Sequence, residues 1–331
     1  MKTNLFSYLT YKVNINRLDE LTNWPPVSWL KKFFIQRMID WQFPEHIFLE
    51  TTSACNLQCK LCPRTSGETL VGHMDLELFK KIVAEAKTYG PRTFCLHLFG
   101  EPLLAPKFIE EIFYIKQANP KNIIVLTTNG TLLDDKIGRA MIEAPIDKIA
   151  ISFMAATKEK YADITGTDLL ERVEENVKKL IALKKESGKN KPKIILRMIL
   201  EDYNRDEAEI FQNKWQNYPV IVEVRPAHNY GGNVPYGTKR DEKKKRWPCY
   251  HFWLSPAVHW NGDFSICCND YARIAVLGNT QEKTINELWN APILKVWRQA
   301  QLKDNFHCPS ICENCNVWTM YHDIWFDWQK K

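Results

Sequence analysis

Residues 46 to 63 read His46-Ile47-Phe48-Leu49-Glu50-Thr51-Thr52-Ser53-Ala54-Cys55-Asn56-Leu57-Gln58-Cys59-Lys60-Leu61-Cys62-Pro63, a short strand-like run followed by three cysteines spaced C-x3-C-x2-C. Thiolates hold iron-sulfur clusters, which normally take four, so a compact group of three leaves one iron free to bind something else. Cysteines at such short spacing also suit zinc. Either way the chemistry begins in a loop that leaves the end of a strand.

Outward from this loop, short β-branched runs alternate with longer amphipathic ones as far as about Pro226. The candidate strands are His46-Glu50, Thr93-Leu98, Asn122-Thr127, Lys148-Phe153, Lys193-Leu200 and Val220-Val224. Helical segments are expected near 75–89, 106–118, 133–143, 171–187 and 204–217, several opened by Asp or Asn and one closed by Tyr89-Gly90-Pro91. Six such units in strict alternation predict a parallel sheet with right-handed crossovers, an α/β partial (β/α)6 TIM-like barrel. Active sites of such barrels lie at the C-terminal ends of the strands, where the cysteine loop falls.

Beyond the barrel the chain changes character. Cys249, Cys267, Cys268, Cys308, Cys312 and Cys315 all lie in the last quarter. Four segments follow from this: an N-terminal helical extension over 1–45, the barrel over 46–230, a connector over 231–247, and a cysteine-organised domain with a C-terminal helix over 248–331. The connector holds the densest basic run, Lys239-Arg240-Asp241-Glu242-Lys243-Lys244-Lys245-Arg246, interrupted by acids and read as solvated.

The 331 residues, 45% of them hydrophobic, suffice for a large core and a small second domain. Forty-five basic against 39 acidic residues leave a net charge of +6, too diffuse to make nucleic acid the main partner. No secretory signal and no apolar stretch near the ~20 residues of a membrane span is visible. The ten cysteines therefore fit a reducing cytoplasm, where clustered thiols serve as metal ligands or catalysts rather than disulfides. Trp29, Leu30, Phe33, Phe34, Met38 and Trp41 form an apolar helical stripe with Lys31, Lys32 and Arg37 beside it, as do Trp318, Tyr321, Ile324, Trp325 and Trp328. Both stripes are expected to cap the domains; the first has the composition for a membrane surface.

With these pieces in place, the chain resembles the radical S-adenosylmethionine (radical SAM) superfamily. The resemblance implies that Cys55, Cys59 and Cys62 hold a 4Fe-4S cluster whose fourth iron binds S-adenosylmethionine through its amino and carboxylate groups. An electron from an external donor such as flavodoxin or ferredoxin then cleaves the cofactor to a 5'-deoxyadenosyl radical. Phe99-Gly100-Glu101-Pro102 is similar to the family's Gly-Gly-Glu-Pro motif with Phe99 at its first position, which makes Gly100 and Glu101 the methionine-binding edge. Glycine there permits close backbone approach. Thr127-Thr128-Asn129-Gly130 resembles the family's Thr-Asn-Gly turn, or is an ordinary strand-to-helix turn. Ser152 matches a ribose contact and Arg197 a methionine-carboxylate contact; an arginine in so apolar a strand needs an anionic partner, which a structural carboxylate also provides. One departure is Leu61, where an aromatic residue is common.

The tail resembles the family's SPASM extension, or its shorter "twitch" form, through Cys249, Gly262-Asp263-Phe264-Ser265-Ile266-Cys267-Cys268-Asn269-Asp270, Leu277-Gly278-Asn279, Ile285-Asn286-Glu287-Leu288-Trp289 and Cys312-Glu313-Asn314-Cys315. One auxiliary 4Fe-4S cluster on Cys249, Cys267, Cys312 and Cys315 is implied. Cys268 and Cys308 are left over; Cys268 is inert packing, an alternative ligand, or a thiol that returns hydrogen to a substrate radical. Cys95 reads as a small core residue. His228, Asn229 and Tyr230 leave the sixth strand near the barrel mouth, either as substrate contacts or as an interdomain turn.

The expected function is abstraction of a hydrogen atom from a small polar substrate of sugar or aminocyclitol type, giving dehydrogenation or epimerisation by a radical SAM oxidoreductase or epimerase. A peptide (RiPP) maturase is the alternative within the superfamily, although the 45 residues before His46 look short for a peptide-binding domain. From another class, a zinc-stabilised module binding RNA or protein without catalysis remains open.

Overall fold

The structure, a computed structural model, describes residues 42–66, 70–235, 237, 246 and 248–319. The N-terminal stripe, most of the basic run and the stripe from Tyr321 to Trp328 lie outside the described residues. The six expected strands form within a few residues of their predicted bounds: β1 His46–Leu49, β2 Thr93–Cys95, β3 Ile123–Thr128, β4 Lys148–Phe153, β5 Lys193–Leu200 and β6 Ile221–Pro226. They pair in parallel in chain order, the curved sheet of a partial barrel.

Between them run α1 Leu76–Thr88, α2 Phe108–Ala118, α3 Asp135–Glu143, α4 Lys158–Thr165, α5 Leu170–Glu186 and α6 Ala208–Trp215. Helix α4 has no counterpart in the expected set. Its eight residues bury only Tyr161, Ile164 and Thr165, too few apolar positions to display a period. Helix α1 starts at Asp75, whose carboxylate accepts from the Glu77 and Leu78 amides. Asp75→Ala is expected to cost about 1 kcal/mol in urea unfolding, since the first-turn amides lose their acceptor.

Alternation along the strands separates two faces. Ile47, Leu49, Phe94, Leu96, Ile124 and Leu126 join the large core shared with the helices, among them Phe79, Ile82 and Ile112. Phe48, Cys95, Val125 and Ala257 form a second, smaller cluster on the opposite, concave face. That face carries the residues that matter below.

The tail does not start a separate sheet. Strand β7 Ala257–Val258 pairs in parallel with β1, and β8 Asp263–Ser265 and β9 Val276–Asn279 continue antiparallel, giving nine strands in the order β6-β5-β4-β3-β2-β1-β7-β8-β9. Helices α7 His251–Leu254, α8 Ile285–Trp289 and α9 Pro292–Leu302 pack beside them. Among the described residues no helix is long and apolar enough to cross a membrane.

Candidate functional site

The cysteine loop is fastened at both ends by backbone bonds. The Ser53 amide donates to Gly72 O, the Gln58 amide to Thr165 O and the Lys60 amide to Ile164 O, so the C-terminal turn of α4 seats the loop. Thr65 closes it from below, its hydroxyl donating to Cys62 O at 2.7 Å. Cys55, Cys59 and Cys62 are close enough for each charge to raise the next thiol's pKa. Burial is the larger cause: it pushes Cys59 up to about 12 and raises Cys55 and Cys62 as well. The three are therefore protonated thiols until a metal deprotonates them, and cluster binding releases protons.

Glu101 lies under this loop at 2% exposure. Its carboxylate accepts from the Thr128 hydroxyl at 2.6 Å, the Asn129 amide at 2.7 Å and the Leu103 amide at 3.1 Å. Burial raises its pKa to about 7, against the pull of these three donors. The side chain thus clamps the turn after β2 to the Thr-Asn-Gly turn after β3. Asn129 in turn donates to Asn56 Oδ1 and reaches Cys55 Sγ at 4.0 Å. The Thr-Asn-Gly turn therefore does more than link strand to helix.

Strand register sets Ser152, Arg197 and Glu223 side by side across β4, β5 and β6. Arg197 Nε donates to Glu223 Oε2 at 3.0 Å, and Arg225 Nη2 meets the same oxygen at 3.0 Å. The structural carboxylate expected as an alternative is present. Sequence reading missed Glu223 although the period-two pattern of the sixth strand, once aligned with the fifth, would have found it. Ser152 stands half-buried in the same row.

The three residues after β6 divide. Asn229 donates through Nδ2 to Asn314 O at 2.7 Å and accepts at Oδ1 from the Asn316 amide at 3.1 Å. Its amide group stitches the connector to the last cysteine segment, the bonding expected of the interdomain-turn alternative. His228 and Tyr230 pack edge to face at 4.2 Å, and Tyr230 lies 6.3 Å from Phe99. Burial holds His228 near a pKa of about 4, His97 and His251 near about 3, all neutral imidazoles.

In the tail, Cys249, Cys267, Cys312 and Cys315 line one cavity, together with Gly231, Arg246, His251, Phe252, Ile311, Val317 and Trp318. Burial raises all four thiols, Cys249 to about 12. Cys308 is exposed and away from the cavity lining. Cys268 is also absent from the lining: its thiol packs against the concave-face cluster of Phe48, Cys95, Val125 and Ala257. There it lies 3.7 Å from His251 Nε2, whose Nδ1 meets Ser255 Oγ at 2.7 Å. Cys95, fully buried, belongs to the same cluster.

The sequence model of the radical SAM superfamily matches residues 49–212, and that of an iron-sulfur cluster-binding domain, SPASM, matches residues 249–316. The chain belongs to the radical SAM superfamily. Family membership replaces the zinc-module alternative and makes the protein a radical SAM enzyme. The chain is 29% identical over 322 residues to the tungsten-containing aldehyde ferredoxin oxidoreductase cofactor-modifying protein of Pyrococcus furiosus, covering 82% of this chain and 87% of that one. It is 31% identical over 190 residues to GTP 3',8-cyclase of Chlorobaculum tepidum, where the match covers 56% of this chain and 55% of the cyclase. The chain thus spans about half the length of that cyclase. Among solved structures, BtrN in complex with AdoMet and 2-DOIA superimposes with a TM-score of 0.57 at 19% identity, covering 82% of this chain and 92% of BtrN. Streptococcus suis SuiB bound to precursor peptide SuiA gives 0.61 at 13%, covering 87% and 73%. These neighbours establish the fold.

The radical SAM domain implies a 4Fe-4S cluster and S-adenosylmethionine, and the SPASM domain implies auxiliary iron-sulfur binding. Among the described residues no three His, Cys, Asp or Glu side chains stand close enough to grip a single metal ion. The fit rests on donor chemistry and placement: three mutually coupled thiols in one loop, and four thiols on the wall of one cavity with otherwise largely apolar surroundings.

Proposed function

We propose that this radical SAM enzyme abstracts hydrogen from a carbon of a small polar substrate, of sugar or aminocyclitol type, and that Cys268 returns a hydrogen to that carbon, so that the net reaction is epimerisation. When bound, the cluster and S-adenosylmethionine supply the radical. In this reading Cys55, Cys59 and Cys62 hold the cluster, the backbone at Gly100 and Glu101 takes the methionine amino group, and Ser152 and Arg197 contact its ribose and carboxylate. Cys249, Cys267, Cys312 and Cys315 hold one auxiliary cluster.

The observation that carries the reading is the divergence of two adjacent cysteines. Cys267 lines the tail cavity, whereas the Cys268 thiol packs against the concave-face cluster of Phe48, Cys95, Val125 and Ala257, with neutral His251 standing between it and the cavity that His251 also lines. A thiol there can give its hydrogen atom to a carbon radical: the S–H bond breaks, the C–H bond forms, and the sulfur radical left behind takes an electron from the external reductant and a proton from solvent. In deuterated water the product of a sugar or aminocyclitol panel is expected to carry one solvent deuterium at carbon, and Cys268→Ala to remove it completely, as read by mass spectrometry. A ketone without incorporation in the wild type overturns hydrogen return and favours dehydrogenation.

A second reading is favoured by the Pyrococcus furiosus relative, whose match covers 82% of this chain and 87% of that one: the substrate is then the cofactor of a tungsten-containing oxidoreductase. The fold shared with SuiB supports the peptide reading only as far as the barrel and tail are concerned.

A further inference from the structure

Two residues beyond Phe48 on β1, alternation brings Glu50 to the concave face, and one residue beyond β7 the same holds for His259. Both are almost wholly buried, at 2% and 1% exposure. His259 Nδ1 lies 3.1 Å from Glu50 Oε2, and the same oxygen accepts the Trp260 amide at 3.3 Å. An oxygen that receives a backbone N–H is an acceptor at this point, so the proton between it and the imidazole belongs to Nδ1. In the neutral ring Nε2 then carries the lone pair.

Among the described residues Nε2 has no hydrogen-bond partner, although it is fully shielded from solvent. A buried polar atom without a partner keeps the cost of its lost hydration. The surroundings give this orphan a meaning. The His259 ring stacks on Phe99 at 6.2 Å and 9°, and Phe99 leads directly into Gly100 and Glu101. Phe99 also meets Tyr271 at 5.1 Å and Tyr230 at 6.3 Å, and Tyr230 meets His228. His97 Nδ1 and His228 Nδ1 are orphaned in the same way. The imidazoles of His259 and His228 therefore flank one aromatic wall, whereas His97 packs on Phe48.

We infer that His259 Nε2, held in its acceptor tautomer by the positioning residue Glu50, accepts a hydrogen bond from a hydroxyl of the substrate and so selects which hydroxyl-bearing carbon faces the radical. This deepens the proposed function and rests on that reading for the substrate class. The partner it fits is a neutral polyol hydroxyl, a donor that an imidazole lone pair can take without a charge being buried.

The test uses the reconstituted holoenzyme labelled with 15N-histidine, with S-adenosylmethionine bound and no reductant. Two-bond proton–nitrogen correlation spectra of the wild type are expected to show His259 protonated at Nδ1 and bare at Nε2. The Nε2 resonance is expected to move on addition of saturating myo-inositol, glucosamine or 2-deoxystreptamine, and Glu50→Gln to abolish the tautomer preference. With whichever of these supports turnover, His259→Phe is expected to raise KM about 5- to 100-fold, the loss of one buried hydrogen bond, while lowering the product formed per 5'-deoxyadenosine. A proton on Nε2, or an Nε2 resonance indifferent to all three probes, overturns the inference and leaves the pair as a tie between β1 and β7. Failure of the reduced wild type to cleave S-adenosylmethionine sinks the proposed function instead, and the two results are read independently.

Discussion

Cys55→Ala, Cys59→Ala and Cys62→Ala, each alone, are expected to abolish 5'-deoxyadenosine formation by the reconstituted, reduced enzyme. Outer partners of metal ligands are worth about 10- to 100-fold in affinity or activity, so loss of a direct ligand is expected to exceed that. The loop itself should survive the change. Its hold on the barrel runs through the amides of Ser53, Gln58 and Lys60 and the hydroxyl of Thr65, and no thiol is needed for any of these bonds. Thermal unfolding of the three variants is therefore expected to stay near that of the wild type. Iron analysis separates the two sites: each variant loses the iron of one cluster and keeps that of the tail cavity. Undiminished cleavage in all three, with iron content unchanged, would sink the assignment.

What the sequence made legible follows from how local each signal is. Three cysteines within eight residues fix their own proximity, and expected strands of five to eight residues separated by amphipathic helices fix a parallel sheet, so the barrel and its cysteine loop are legible in the sequence. The four tail cysteines are spread over 67 positions, yet family spacing brought them together, and the structure sets them on one cavity. Non-local partners stayed hidden. Nothing in the local pattern around His259 says that it meets Glu50, 209 positions away, because β7 joins the barrel edge only through the three-dimensional path of the tail. Glu223 was hidden more shallowly, since only the register of β5 against β6 was missing. For Asn229 the sequence left both alternatives open, because a polar cluster after a strand resembles a binding loop whether its side chains meet a ligand or the protein's own backbone.

Gly100→Ala is expected to be nearly as severe as loss of a ligand, by a different route. A Cβ built on Gly100 would lie 2.1 Å from Thr52 O and 2.8 Å from Ala54 O. Both are backbone atoms of the cysteine loop, so no side chain can swing aside. The glycine is needed for room, where the turn after β2 passes beneath the loop. Relief requires the two segments to separate, and the first bond in the way is that of the Glu101 amide to Ala54 O at 2.7 Å. Displacing Glu101 then pulls its carboxylate from the Thr128 hydroxyl and the Asn129 amide. Overpacking costs about 1–3 kcal/mol and a buried carboxylate losing its donors about as much again, so a loss of roughly 2–6 kcal/mol in urea unfolding is expected. Cluster content should fall in parallel, since the loop that carries the thiols is the segment being pushed. Gly138→Ala serves as the contrast: its Cβ meets only the Leu183 side-chain terminus at 3.0 Å and Leu180 at 3.6 Å, within helix α3. There the helix preference for alanine, up to about 1 kcal/mol, offsets the crowding. A Gly100→Ala protein as stable as Gly138→Ala would show that the turn and the loop do not pack as described.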